Sequence, residues 1–141
     1  MAVISRKVYL APDMFCAFLD RAHPQHEQAS AFFRFFAQEE YQLYTDIDTV
    51  LNAYYRMCAD ISPSLGKDFL RTLFLSNINI LYPDEATAKA ALKALTTFNS
   101  SELTYEKSLL CVHAYKRGIA QICSFEYFPP LFGLTPFYLP I

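Results

Sequence analysis

Apolar and polar positions follow two rhythms along the chain, and the rhythm changes from segment to segment. Lys7-Val-Tyr-Leu-Ala11 is a short apolar run that predicts a strand. Pro12 follows, suited to the first turn of a helix, where its missing N–H costs nothing. Met14, Phe15, Phe18 and Leu19 then make one face of a short helix over Asp13 to Asp20, which Ala22-His-Pro-Gln25 breaks. From His26 to Glu40, the residues Ala29, Phe32, Phe33, Phe36 and Ala37 recur at helical spacing, with Phe35 off that face. Tyr41 to Thr45 reads as a strand. A helix from about Asp46 to Ala59 comes next, with Thr45 or Asp46 able to cap it and Val50, Leu51, Tyr54 and Met57 or Cys58 on its apolar side.

The second half repeats the alternation. A turn at Ile61-Ser-Pro-Ser64 leads into a helix over Leu65 to Leu75, a strand over Asn77 to Tyr82 and a helix over Glu85 to Leu95. Ser101-Glu-Leu-Thr104 has capping chemistry and precedes a helix ending near Gly118, with Lys116 and Arg117 in its last turn, as the macrodipole favours. Ile119 to Phe125 is an apolar strand. Thr135 to Leu139 is a last short one, whose Pro136 belongs at a sheet edge. The order β-α-α-β-α-α-β-α-α-β-β predicts an α/β three-layer sandwich, with a mostly parallel sheet between helices. Ligands of such sheets collect at the strands' carboxyl ends, here Ala11 to Asp13, Thr45 to Asp48, Tyr82 to Asp84 and Ser124 to Glu126.

Composition narrows this picture. A chain of 141 residues fits a single domain, 1–141. With 53% hydrophobic and 18% charged residues it is not a disordered chain. Ten Tyr and thirteen Phe can fill a core and leave apolar surface for a partner. The net charge of −2 removes any global electrostatic case for nucleic acid. Arg6, Lys7, Arg21, Arg34, Arg56, Lys67, Arg71, Lys116 and Arg117 are scattered, so a local basic patch needs the fold to assemble it. No apolar run reaches the ~18 residues of a membrane helix. At the N-terminus the charges follow the apolar residues, the reverse of a signal peptide. Cys16, Cys58, Cys111 and Cys123 form no Cys-x-x-Cys pair and read as structural thiols of a reduced, cytoplasmic protein.

Four stretches carry a resemblance: Leu10-Ala11-Pro12-Asp13, Thr49-Val-Leu-Asn52-Ala53, Leu103-Thr-Tyr-Glu-Lys-Ser108 and Ser124-Phe-Glu126. In order, spacing and surrounding elements the chain resembles the PIN domain family, metal-dependent ribonucleases that include many toxins of toxin–antitoxin pairs. The family's motifs at these places read Leu-Asp-Thr-Asn, an Ala-Glu pair within the third helix, Leu-Thr-Phe-x-Asp-Ala and Thr-x-Asp. The frame matches and the acids do not. Ala11, Asn52 and Lys107 stand at three acid positions, and Glu126 replaces the fourth conservatively. Asp13 stands where the family often has Asn or Ser.

Hydrolysis of this type needs Mg²⁺ or Mn²⁺ held by hard oxygen ligands. The resemblance therefore makes Asp13 and Glu126 remnant acids, with Asn52 and Lys107 at replaced acid positions. No metal is expected; if one binds, Asp13 and Glu126 are its ligands. An Asp13–Lys107–Glu126 ion cluster is the expected substitute for the metal, against the alternative that Lys107 reaches solvent. Asn52 can donate to Asp13 or Glu126, or be merely a polar helix residue. Asp46 and Asp48 can rebuild a site from the neighbouring loop, although favouring a helix N-terminus is their ordinary role. Glu106, one residue before Lys107, is expected to point elsewhere.

His23 and His26 fit surface loop positions, and His113 a packed helix position. Ser124 has no recognisable base, and three glycines provide no phosphate loop. The Phe-rich stretch around Arg34 and the Tyr54-Tyr-Arg56 triplet suit core packing better than base stacking. The sequence leads to a degenerate PIN-like domain acting by RNA or protein binding. An antitoxin-like chain and a second copy of itself are its candidate partners, without a membrane. The alternatives are an active Mg/Mn-dependent single-stranded RNA endonuclease with a remodelled acid set, and a structural interaction protein without nucleic acid.

Overall fold

The computed structural model describes residues 6–98, 103–126 and 133–139. Eleven elements follow the predicted order: β1 (Lys7–Leu10), α1 (Pro12–Leu19), α2 (His26–Gln38), β2 (Gln42–Asp46), α3 (Ile47–Asp60), α4 (Pro63–Leu75), β3 (Asn79–Leu81), α5 (Glu85–Thr97), α6 (Tyr105–Lys116), β4 (Gln121–Cys123) and β5 (Thr135–Pro136). The strands form one sheet in the order β3-β2-β1-β4-β5, and every pairing is parallel. Pro136 lies in the edge strand β5. Residues 127–132, between the last two expected strands, and the expected cap residue Ser101 lie outside the described residues.

A strand's alternation explains the layers. Val8 and Leu10 of β1 face a core of Met14, Phe15, Phe36, Val50, Met57 and Phe69, so α1 to α4 cover one side of the sheet. Tyr9 and Ala11 face Leu110, Cys111, Ala114 and Ile122, so α6 covers the other, with α5 packed on it. Phe32, Phe33 and Phe35 pack on the first core, where Phe36 and Phe137 meet with ring centroids 5.0 Å apart. Phe35 thus joins the core instead of falling off its face, because Tyr41 and Phe137 come over to meet it. Ala37, expected on the apolar face, is exposed.

Helix ends follow local chemistry. Asp46 caps α3 by accepting the Thr49 N–H at 2.8 Å, and Thr104 caps α6 by accepting the Lys107 N–H at 3.2 Å. Cys16, Cys58 and Cys123 are free thiols. Among the described residues, no helix is long and apolar enough to cross a membrane.

Candidate functional site

The strand order has one reversal. From β1 the chain steps to β2 and β3 on one side, then returns to place β4 and β5 on the other. The crevice of such a sheet opens where neighbouring strands send their chains in opposite directions, here at the carboxyl ends of β1 and β4. A hollow of about 240 Å³ lies there. Its walls include Ala11 and Pro12 after β1, Asn52 and Arg56 of α3, Glu106 and Lys107 of α6, and Ser124 and Glu126 after β4. A second hollow, of about 210 Å³, lies on the far side of Arg56 and Glu126, which line both.

Asp13 brackets the two central strand ends. Its carboxylate accepts the Ser124 hydroxyl at 3.0 Å and the Phe125 N–H, while the Ser124 oxygen accepts the Glu126 N–H at 3.1 Å. Burial raises the Asp13 carboxyl above its usual range and the nearby Glu126 adds to this, while the Phe125 and Ser124 hydrogen bonds pull it down. The cation at Glu126 is that of Arg56, Nη1 to Oε1 at 3.4 Å. The expected ion cluster through Lys107 therefore takes another form, with Arg56 paired to Glu126 and Asp13 held by uncharged donors. The reason is reach: Arg56 lies one turn beyond Asn52 on α3, facing the β4 end.

Asn52 spans the hollow to α6, donating from Nδ2 to Glu106 Oε2 at 2.7 Å rather than to either remnant acid. Its Oδ1 is buried and finds no hydrogen-bond partner among the described residues. Glu106 thus belongs to the site, against expectation. It stands with Lys107 in the first turn of α6, whose open end faces the hollow, so neighbouring residues can flank it. Asp48 is raised by partial burial and by repulsion from Glu106. Asp46 is 1% exposed and accepts from Tyr9 Oη and, at 2.9 Å, from Thr49 Oγ1; burial is the main cause raising its carboxyl. It serves the helix and not the hollow. The sequence reading named Arg56 only as a scattered basic residue and as part of an aromatic triplet, because it belongs to none of the four motif stretches. The available signal was helical spacing, since positions 49, 52 and 56 share one face of α3.

Candidates outside the site keep ordinary roles. His26 Nδ1 bonds the Ala17 carbonyl at 3.0 Å, and His23 Nδ1 accepts the Gln25 N–H at 3.1 Å. His113 is buried in α6, where burial and then Lys116 and Arg117 lower its pKa.

No protein-family model matches the chain, and no curated protein matches it by sequence. Its structure is similar to that of Mycobacterium tuberculosis VapC20, a toxin that cleaves the sarcin–ricin loop, with a TM-score of 0.76, 11% identity, and coverage of 84% of this chain and 89% of that one. At that identity the likeness is one of fold, and the fold is PIN-like.

The metal implied by such a fold can be tested against the donors present. A Mg²⁺ or Mn²⁺ site wants several ionised oxygens converging on one point. Here positions 11, 52 and 107 offer a methyl, a carboxamide and an ammonium. Asp13 is engaged by Ser124 and Phe125, and Glu126 by Arg56. Among the described residues, no group of three or more His, Cys, Asp or Glu is arranged to hold a metal ion. This donor set does not fit the ion.

Proposed function

We propose that this chain is a PIN-like domain, related to metal-dependent ribonucleases, that cleaves RNA poorly and acts by binding. The observation that carries this reading is the replacement of hard acids by Ala11, Asn52 and Lys107 at the mouth of the parallel sheet. A protein is the better-supported partner. The net charge is −2, and an apolar groove of about 170 Å³ runs between Phe15, Phe18, Phe33, Phe69 and Leu73. Phe74 and Leu75 stand 70% and 90% exposed on α4, which forms part of its wall. An antitoxin-like chain or a second copy of this one suits such a surface. VapC20 being a toxin is consistent with a partner of the first kind.

The test is an RNA cleavage assay on fluorescent single-stranded substrates with Mn²⁺ or Mg²⁺. The wild type is expected to show little metal-dependent cleavage. The triple variant Ala11→Asp, Asn52→Glu, Lys107→Asp is expected to gain metal affinity in calorimetry. Robust wild-type cleavage that Glu126→Ala abolishes would sink this reading.

One observation favours the second reading. Glu106 and Glu126 line one hollow, and the field of Glu106 reaches Asp48. An active endonuclease would have to draw its remodelled set from these acids by moving them closer together than they stand here. Loss of cleavage on Glu106→Gln would identify that case.

A further inference from the structure

We infer that Arg56 is the resident cation of this cleft, a guanidinium in the charge-neutralising place that shuts the Asp13–Glu126 corner to divalent metal. The inference rests on the proposed loss of metal chemistry and names the residue that enforces it. The far hollow is lined by Asp13, Asp20, Asp60 and Glu126, with Arg56 on its wall, although no three of these acids are arranged to hold a metal ion. A lining of this sign favours a cation, and Glu126 adds to the burial that raises the Asp13 carboxyl. Arg56 supplies one from the partition between the two hollows, 3.4 Å from Glu126. The Cys16 thiol, in the same hollow, is pushed up to about 11 by burial, and the charges reaching it are those of Arg56, Asp13, Asp60 and Glu126.

Three properties make a guanidinium effective there. It stays charged at every pH the protein meets. It is tethered, so a metal ion competes against a group at millimolar or higher effective concentration. It also repels an incoming dication directly. At ~4 Å, even with the dielectric constant of water, a unit charge lowers the occupancy of a doubly charged ion by roughly tenfold or more.

The test uses Mn²⁺ itself, read by the loss of its free-ion resonance signal and by the shift in melting temperature. Arg56→Gln is expected to bind Mn²⁺ at least ~10-fold more tightly than the wild type, and Arg56→Lys, which keeps the charge, no better than the wild type. Adding Glu126→Gln to Arg56→Gln is expected to abolish the gain. The pair is half-exposed but stands against buried Asp13 and Met57, so melts in chelator check that each variant folds. Equal, weak Mn²⁺ binding by wild type and Arg56→Gln would overturn the role of Arg56 while leaving the proposed function standing. A gain that survives the added Glu126→Gln would overturn the location. Tight Mn²⁺ binding by the wild type, with metal-dependent RNA cleavage, would overturn both.

Discussion

Asp13 and His113 show how single residues carry the fold's electrostatics. Asp13 is 7% exposed and joins the end of β1 to the end of β4 through Ser124 and Phe125. Asp13→Ala should cost about 1–3 kcal/mol in urea denaturation, since it leaves the Phe125 N–H and Ser124 hydroxyl without their acceptor. Asp13→Asn should cost less, because it keeps one acceptor oxygen. His113 is 5% exposed, and its Nε2 has no hydrogen-bond partner among the described residues. Lys116 and Arg117 disfavour its proton and Asp84 favours it, the lowering prevailing with burial. A histidine depressed in the fold contributes stability above its unfolded pKa of about 6.5, and loses it as pH falls toward the folded value. Asp13, Asp46 and Asp48 are raised and so act in the opposite sense, their stabilising share being lost as pH rises through their folded values. The wild-type melting temperature should therefore fall more steeply than that of His113→Gln between about pH 7 and pH 5.5. Parallel slopes would remove His113 from the account.

At the scale of elements, α3 is the piece on which the site depends. Asp46 begins it, holding Thr49 and accepting the Tyr9 hydroxyl from beneath the sheet. Asp46→Ala should cost about 2–4 kcal/mol, a lost cap together with a buried hydroxyl left unpaired. Asp46→Asn should recover part of that. The other end of α3 lies against α4, where Gly66 allows close approach. A Cβ built at Gly66 would stand 2.6 Å from Cys58 Sγ and 3.1 Å from a Tyr54 ring carbon. Gly→Ala inside a helix ordinarily gains up to ~1 kcal/mol. Here the crowding should outweigh that gain and leave a net loss of about 1 kcal/mol. Cys58→Ala in the same chain should relieve it. If Gly66→Ala alone stabilises the protein, α3 and α4 are less tightly apposed than the structure shows.

For the whole molecule, the open question is what covers its apolar surface. The groove by Phe18 and Phe33 and the exposed Phe74 and Leu75 of α4 are the apolar surfaces through which we expect a homodimer. Light scattering at ~100 µM should give a dimer mass, because association only a few kcal/mol tighter than the millimolar range would already be visible there. Leu75→Glu should return the mass to that of a monomer without lowering the melting temperature, as an almost fully exposed side chain adds little to the monomer's core. A wild type that stays monomeric at that concentration would count against self-association.

The order of elements was determined by local sequence. Periodicity, the proline after β1 and the capping residues act within a few positions, and they predicted every strand and helix to within a few residues. The largest differences came at strand ends. Asn77 to Tyr82 shortened to Asn79–Leu81, and Ile119 to Phe125 to Gln121–Cys123, because a strand extends only as far as a neighbour pairs with it. The carboxyl ends of the strands were legible for the same reason, whereas Asn52, Lys107 and Glu126 were named through the family resemblance, and all three line the hollow. Charge pairing was decided only by the tertiary structure. Arg56 is 70 residues from Glu126 in the chain, and Asn52 is 54 from Glu106. Such pairs form where helix rotation and strand order happen to bring long side chains together, and no local pattern records them. The sequence could say which acids were missing; only the fold could say which cation stands beside the one that remains.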